Sequence, residues 1–226
     1  MKPWVRGLLG FALAAGGAAL AWVFYFAGGT GQPSTDLTTP EVDAGVGTVF
    51  VIDPTRSVAS FELGEILNGN PKQVVGTTSE LAGQVAVDPS DPEGMRFSPI
   101  LVNARTFRTD SSQRDRQIRG PVILNSARDE FEMITFVVTS TAGLTGPVTV
   151  GSIRDLTITG DLTIKGATRS VTFEVTVEYT DEMTLAGTAE TLVRRTDFGI
   201  GIPSVRSVAG VDEEVLLRLE FVAVAG

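Results

Sequence analysis

The chain has 226 residues, 42% hydrophobic and 20% charged, which is enough apolar side chain to bury a core and excludes wholesale disorder. Histidine and cysteine are both absent, so no disulfide framework, thiolate nucleophile, Ser-His-Asp triad, Cys/His zinc site or histidine-ligated haem can be built from it. Of the net charge of −9, Lys2 and Arg6 are the only charges in the first 29 residues, which leaves 16 basic and 27 acidic residues, or −11, in the remainder. An acidic domain of that kind repels phosphate backbones, and no nucleic-acid partner is expected.

Gly7 to Gly29 form 23 consecutive uncharged positions. As a helix rising about 1.5 Å per residue they reach roughly 35 Å, enough to cross a hydrocarbon core. Trp4 stands at one end and Trp22, Phe24, Tyr25 and Phe26 at the other, where aromatic belts belong. A cleaved signal peptide is the competing reading, but its apolar region is usually only about 7–15 residues long. Residues 1–29 therefore read as an uncleaved transmembrane anchor. Lys2 and Arg6 flank its near side and the next basic residue is Arg56, which puts the N-terminus in the cytoplasm. Everything beyond the anchor is then periplasmic or extracellular. Residues 30–47, rich in Gly, Pro, Ser, Thr and acid, read as a flexible linker whose root-mean-square reach is about 23 Å.

From residue 48 to 226 the pattern has period two and reads as one all-β domain. The clearest run places Val171, Phe173, Val175, Val177 and Tyr179 on one side and Thr172, Glu174, Thr176 and Glu178 on the other. Weaker runs lie at 48–53, 58–63, 81–87, 99–107, 133–140, 156–164, 183–194 and 214–224. In the last, Val215, Leu217, Leu219, Phe221 and Ala223 share a side. Turn chemistry separates the runs, as at Asn68-Gly69-Asn70-Pro71 and Lys165-Gly166. One segment, Ser111 to Arg119, reads as helix with Asp110 or Ser111 as its cap. One-sided strands with short connections make an antiparallel sheet that buries one face, as a sandwich or a barrel.

Several strings resemble the YceI-like family of lipocalin-like polyisoprenoid-binding proteins. They are Val51-Ile52-Asp53-Pro54, Arg56-Ser57-Val58 and Phe61; Thr109, Arg114-Asp115 and Ile118; and Ile134-Thr135-Phe136. The most specific is Gly160-Asp161-Leu162-Thr163-Ile164-Lys165-Gly166-Ala167-Thr168, with Val171 three positions on, followed by Arg195-Thr196-Asp197-Phe198-Gly199-Ile200. Where the family often has His-Ser, this chain has Arg56-Ser57. The resemblance implies an eight-stranded antiparallel lipocalin-like barrel with one short helix. It also implies a pore holding an isoprenoid-type lipid, quinone-like or prenyl-phosphate-like, for transport or storage, and it is compatible with a homodimer.

On that reading Phe61, Phe136, Phe173, Phe198 and Phe221 are candidate pore-lining residues, and Arg114 and Asp115 are candidate contacts for a polar head. No catalytic residue, metal site or cofactor other than a bound isoprenoid lipid is expected. Asp88, Asp91 and Glu93 share a Pro-rich loop but lack the spacing of a calcium loop. The rival reading is a structural or adhesive cell-surface β-domain with a filled core. An internal void of more than a few hundred cubic ångströms decides between them.

Overall fold

The computed structural model describes residues 33, 37–45, 47–203 and 208–226. The anchor expected over residues 7–29 lies outside the described residues, as does part of the linker. Among the described residues no helix is long and apolar enough to cross a membrane.

The described strands are β1 (Thr48–Ile52), β2 (Val58–Leu67), β3 (Asn70–Thr78), β4 (Leu81–Ala82), β5 (Gln84–Val87), β6 (Arg96–Phe97) and β7 (Ile100–Asn103). The helix α1 (Ser112–Arg119) follows, then β8 (Met133–Ala142), β9 (Ile153–Ile164), β10 (Ala167–Asp181), β11 (Thr184–Arg194), β12 (Val208–Val211) and β13 (Glu214–Ala225). All belong to one curled antiparallel sheet. Its longest path runs β8–β9–β10–β11–β13, and β13 then carries β1 and β2 end to end along its other edge. β1 pairs with β5, β2 with β3, β4 with β7, and β7 with β8.

The expected count of eight strands is corrected to thirteen. The long courses are cut where the backbone leaves the ladder. Pro54 and the Asp53–Ser57 bend separate β1 from β2, Gly83 separates β4 from β5, and Ser98-Pro99 separates β6 from β7. Proline has no N–H for a ladder bond. β3 is the one long strand the periodicity missed, because Pro71, Lys72, Gln73 and Gly76 blur its alternation. It is tolerated as a strand since β2 is its only paired neighbour over that stretch. The β2–β3 hairpin turns on Asn68 (φ 51°) and Gly69 (φ 82°), the left-handed pair that a two-residue type I′ turn needs.

The β10 alternation holds as expected: Thr172, Glu174, Thr176 and Glu178 are exposed, and the intervening apolar residues face inward. α1 begins as the sequence suggests, with the Ser111 side chain accepting from the Arg114 N–H at 3.4 Å. Its one buried apolar residue, Ile118, packs with Leu124, Leu162, Ile164 and Phe198 against the sheet's concave side. The loops around α1 are pinned by Arg105, which is 7% exposed. Its guanidinium donates to Glu132 at 2.7 Å, to Asp129 at 2.6 Å and to the carbonyls of Ser126 and Ala127. A charge this deep needs such partners, because an unpaired one costs several kcal/mol (about 3–5).

Candidate functional site: a two-chambered apolar interior

The concave face of the sheet encloses two adjoining chambers. The first, of about 240 Å³, lies among β1, β2, β5–β11 and β13, and its lining is almost entirely carbon. The second, of about 460 Å³, lies between β2, β3, β13, α1 and the segment around Phe198. Phe107, Ile134, Ile164 and Leu217 line both, and so form a shared waist.

The five phenylalanines singled out from the sequence all reach this interior but divide between its halves. Phe136, Phe173 and Phe221 line the first chamber, and Phe61 and Phe198 the second. Phe136 and Phe173 meet edge to face at 5.0 Å between ring centres. Phe61 meets Phe107 at 5.4 Å, which places an aromatic pair at the waist. Phe107 ended the period-two run at 99–107 but was not singled out; the strand β7 stops at Asn103, and Phe107 reaches the waist from the irregular segment that follows.

Three of these rings are laid flat by glycines in the neighbouring strand. A Cβ on Gly76, directly opposite Phe61, would stand 2.2 Å from that ring. A Cβ on Gly187, directly opposite Phe221, would stand 2.9 Å from its ring and 2.3 Å from the Thr176 carbonyl oxygen. Phe136 reaches Gly160 diagonally, two residues along from its partner Leu162, and a Cβ there would stand 2.7 Å from its ring. Each ring therefore folds over the adjacent strand instead of projecting across the lumen. An interior packed at ordinary protein density leaves few voids larger than a water, so these pairs help to explain why this one stays open.

A cluster of paired charges gathers at one end. Glu65 (8% exposed) accepts from Arg114 at 2.8 Å, Lys72 donates to Asp110 at 2.6 Å, and Arg114 also pairs with Asp110. All four side chains line the second chamber. The Lys72 ammonium, and then the Arg114 guanidinium, hold the Asp110 carboxyl below its ordinary pKa. Two cations and two anions thus form a charge-balanced rim. Asp115, the other candidate head contact, lines neither chamber. Its carboxylate accepts from the Thr109 N–H at 2.8 Å and the Thr109 hydroxyl at 2.7 Å, so it fastens the loop that leads into α1. Glu65 and Lys72 were invisible as site residues because they sit on separate strands that only the hairpin brings beside α1.

Three further cations line the chambers: Arg154 and Arg218 the first, and Arg195, which donates to the carbonyls of Asp212 and Ile200, the second. Other charged groups serve the framework. Arg194 pairs with Glu213 at 2.7 Å rather than with the nearer-in-sequence Asp197. Asp88 accepts from the Ser90 N–H and hydroxyl in a local turn. Lys165 sits in the β9–β10 turn and donates to the Val122 carbonyl at 2.8 Å, and burial lowers its pKa.

The family profile described as YceI-like domain matches residues 50–223. The chain belongs to the YceI-like family. It is 28% identical over 158 residues to a UPF0312 protein of Shewanella oneidensis, covering 68% of this chain and 77% of that one. It is 30% identical over 99 residues to Protein YceI of Escherichia coli, covering 44% of this chain and 46% of that one. Among solved structures, a polyisoprenoid binding domain from Saccharophagus degradans superposes with a TM-score of 0.61 at 14% identity, over 80% of this chain and 99% of that one. BcnA of Burkholderia cenocepacia superposes with a TM-score of 0.59 at 22% identity, over 76% and 98%. At those identities the likeness is one of fold. The YceI-like fold here is the lipocalin-like curled sheet with a single helix laid across one end.

Proposed function

We propose that this YceI-like chain is a membrane-mounted, extracytoplasmic binding protein that holds an isoprenoid-type lipid within its sheet. The observation that carries the reading is the apolar double chamber with one polar rim, the usual form of a small-molecule site. Each methylene buried from water contributes about 0.8 kcal/mol, so a prenyl chain stays in a bilayer or in a pore of this kind and not free in solution. A filled-core adhesive domain would lack the voids. The polyisoprenoid binding attributed to the Saccharophagus degradans domain supports the same chemistry.

The pairings support a closed eight-course barrel. With the breaks bridged, β1–β2, β3–β4–β5 and β6–β7 act as three courses beside β8, β9, β10, β11 and β13, and β7 returns to β8. In this reading residues 48–226 form the binding domain, 30–47 the linker and 7–29 the anchor, with the N-terminus cytoplasmic. Phe61, Phe136, Phe173, Phe198 and Phe221 line the path of the tail, and Arg114 meets the head at the rim. The protein binds and carries its ligand and does no chemistry on it.

Native mass spectrometry of the full chain, extracted in mild detergent, reads bound mass and stoichiometry together. A prenyl-lipid adduct that organic extraction removes is the expected result, and a dimer would appear as doubled mass. Protein that carries no such adduct and takes up no quinone analogue overturns the reading.

A further inference from the structure

The end of the interior opposite the charged rim is covered by protein. Pro92, under 2% exposed, points from the loop 88–95 into the first chamber, and Met95 lines it beside Pro92. Leu144 (9% exposed) and Val148 do the same from the loop between β8 and β9. The two loops are tied together, since the Val148 N–H donates to the Pro89 carbonyl at 2.9 Å. Tyr179 lines the same chamber, and Phe50, 1% exposed, backs it edge to face at 6.3 Å. These rings come from β1 and β10, which are separated in the sheet by β13 and β11, so the contact spans the concave side. Tyr179 is held from behind as well. Its N–H donates to Ser152 at 3.0 Å and its carbonyl accepts from Gly151 at 2.7 Å.

We propose that this Phe50–Tyr179 pair and the two loops over it are the floor of the site and set the longest isoprenoid tail it accepts. The proposal rests on the isoprenoid-binding reading and adds a chain-length rule to it. A tail enters past the Glu65–Arg114 rim, crosses the waist at Phe61 and Phe107, and stops at the floor. A homologue one unit too long either overpacks the first chamber or pushes its last carbons and its head out past the charged rim into water. Overpacking a well-packed interior typically costs enough to lower occupancy roughly tenfold.

The test offers the full chain, stripped of lipid in detergent, an equimolar ladder of all-trans prenols that differ by single isoprene units, and reads occupancy by native mass spectrometry. Wild type is expected to show a sharp upper cutoff. Tyr179→Ala opens a cavity at the floor and moves the cutoff up by roughly one unit. Val177→Phe, which fills the first chamber one inward position above Tyr179, moves it down. The opposed shifts keep the proposal falsifiable if one variant fails to fold, as judged by thermal melting. Occupancy that rises with length without a cutoff, or a cutoff that neither variant moves, overturns the floor while isoprenoid binding stands. Failure to hold a prenol of any length overturns both.

Discussion

The two chambers are built by different forces. The floor chamber is held chiefly by dispersion and burial: Leu156 (5% exposed) and Val175 (5%) pack with Leu144, and the ion pair of its wall residue Arg218 with Glu190 lies about 40% exposed to solvent. The rim chamber is held by paired charges on three separate elements, β2, β3 and the start of α1. Carbon packing has no charge for dilute salt to screen or pH to titrate, whereas ion pairs at a partly wet rim respond to both. One interior therefore has a hard end and a tunable end.

Substitutions should separate the two. The largest effect is expected for Leu156→Ala at the hard end, where a truncated core side chain costs about 2–5 kcal/mol. Urea denaturation should show that loss unchanged between low and high salt. Arg114→Ala at the rim should cost less, about 1–3 kcal/mol, chiefly by leaving the buried Glu65 carboxylate without its guanidinium at a rim that water can enter. That difference should shrink as salt is raised, and a salt-independent loss would mean that Arg114 contributes packing instead of charge.

The smallest effect belongs to neither chamber. Asp53, in the bend between β1 and β2, accepts from the Thr55 hydroxyl and the Arg56 guanidinium, which lower its pKa from 3.8 to about 2. A carboxylate with a depressed pKa adds stability that is present above its unfolded value and lost as pH falls through the folded one. Acid titration of wild type and Asp53→Asn should therefore converge between about pH 4 and pH 2, with the wild type the more stable above that window. Curves that stay parallel through it would show that the bend does not depend on that charge.

The legible parts of the sequence were those with local causes. Strict alternation in β10, the weaker alternation in β13, the Ser111 cap and the Lys165-Gly166 turn each follow from the physics of a few neighbouring residues, and each appears where the pattern puts it. β3 was hidden because its pairing with β2 alone lets Pro71 and Gly76 interrupt the alternation. Phe61, Phe136, Phe173 and Phe221 were legible as inward-facing, since period two fixes the side of the sheet, whereas Phe198 sits in a short helical turn after β11 and was marked only by the family resemblance. Their division between two chambers was not, because it depends on how far along the barrel each strand is staggered.

The sequence by itself determined an all-β domain with one greasy face and no side chains for histidine or thiol chemistry. Tertiary structure alone decided that Phe61, Phe136 and Phe221 lie over glycines and leave a lumen. It also decided that Glu65, Lys72, Asp110 and Arg114 meet at one rim while Phe50 and Tyr179 meet at the other end. Patterning records which face a residue takes, a matter of the backbone's own repeat. Who stands opposite whom is set by strand register and closure, which where β13 meets β1 and β2 join residues more than a hundred positions apart in the chain.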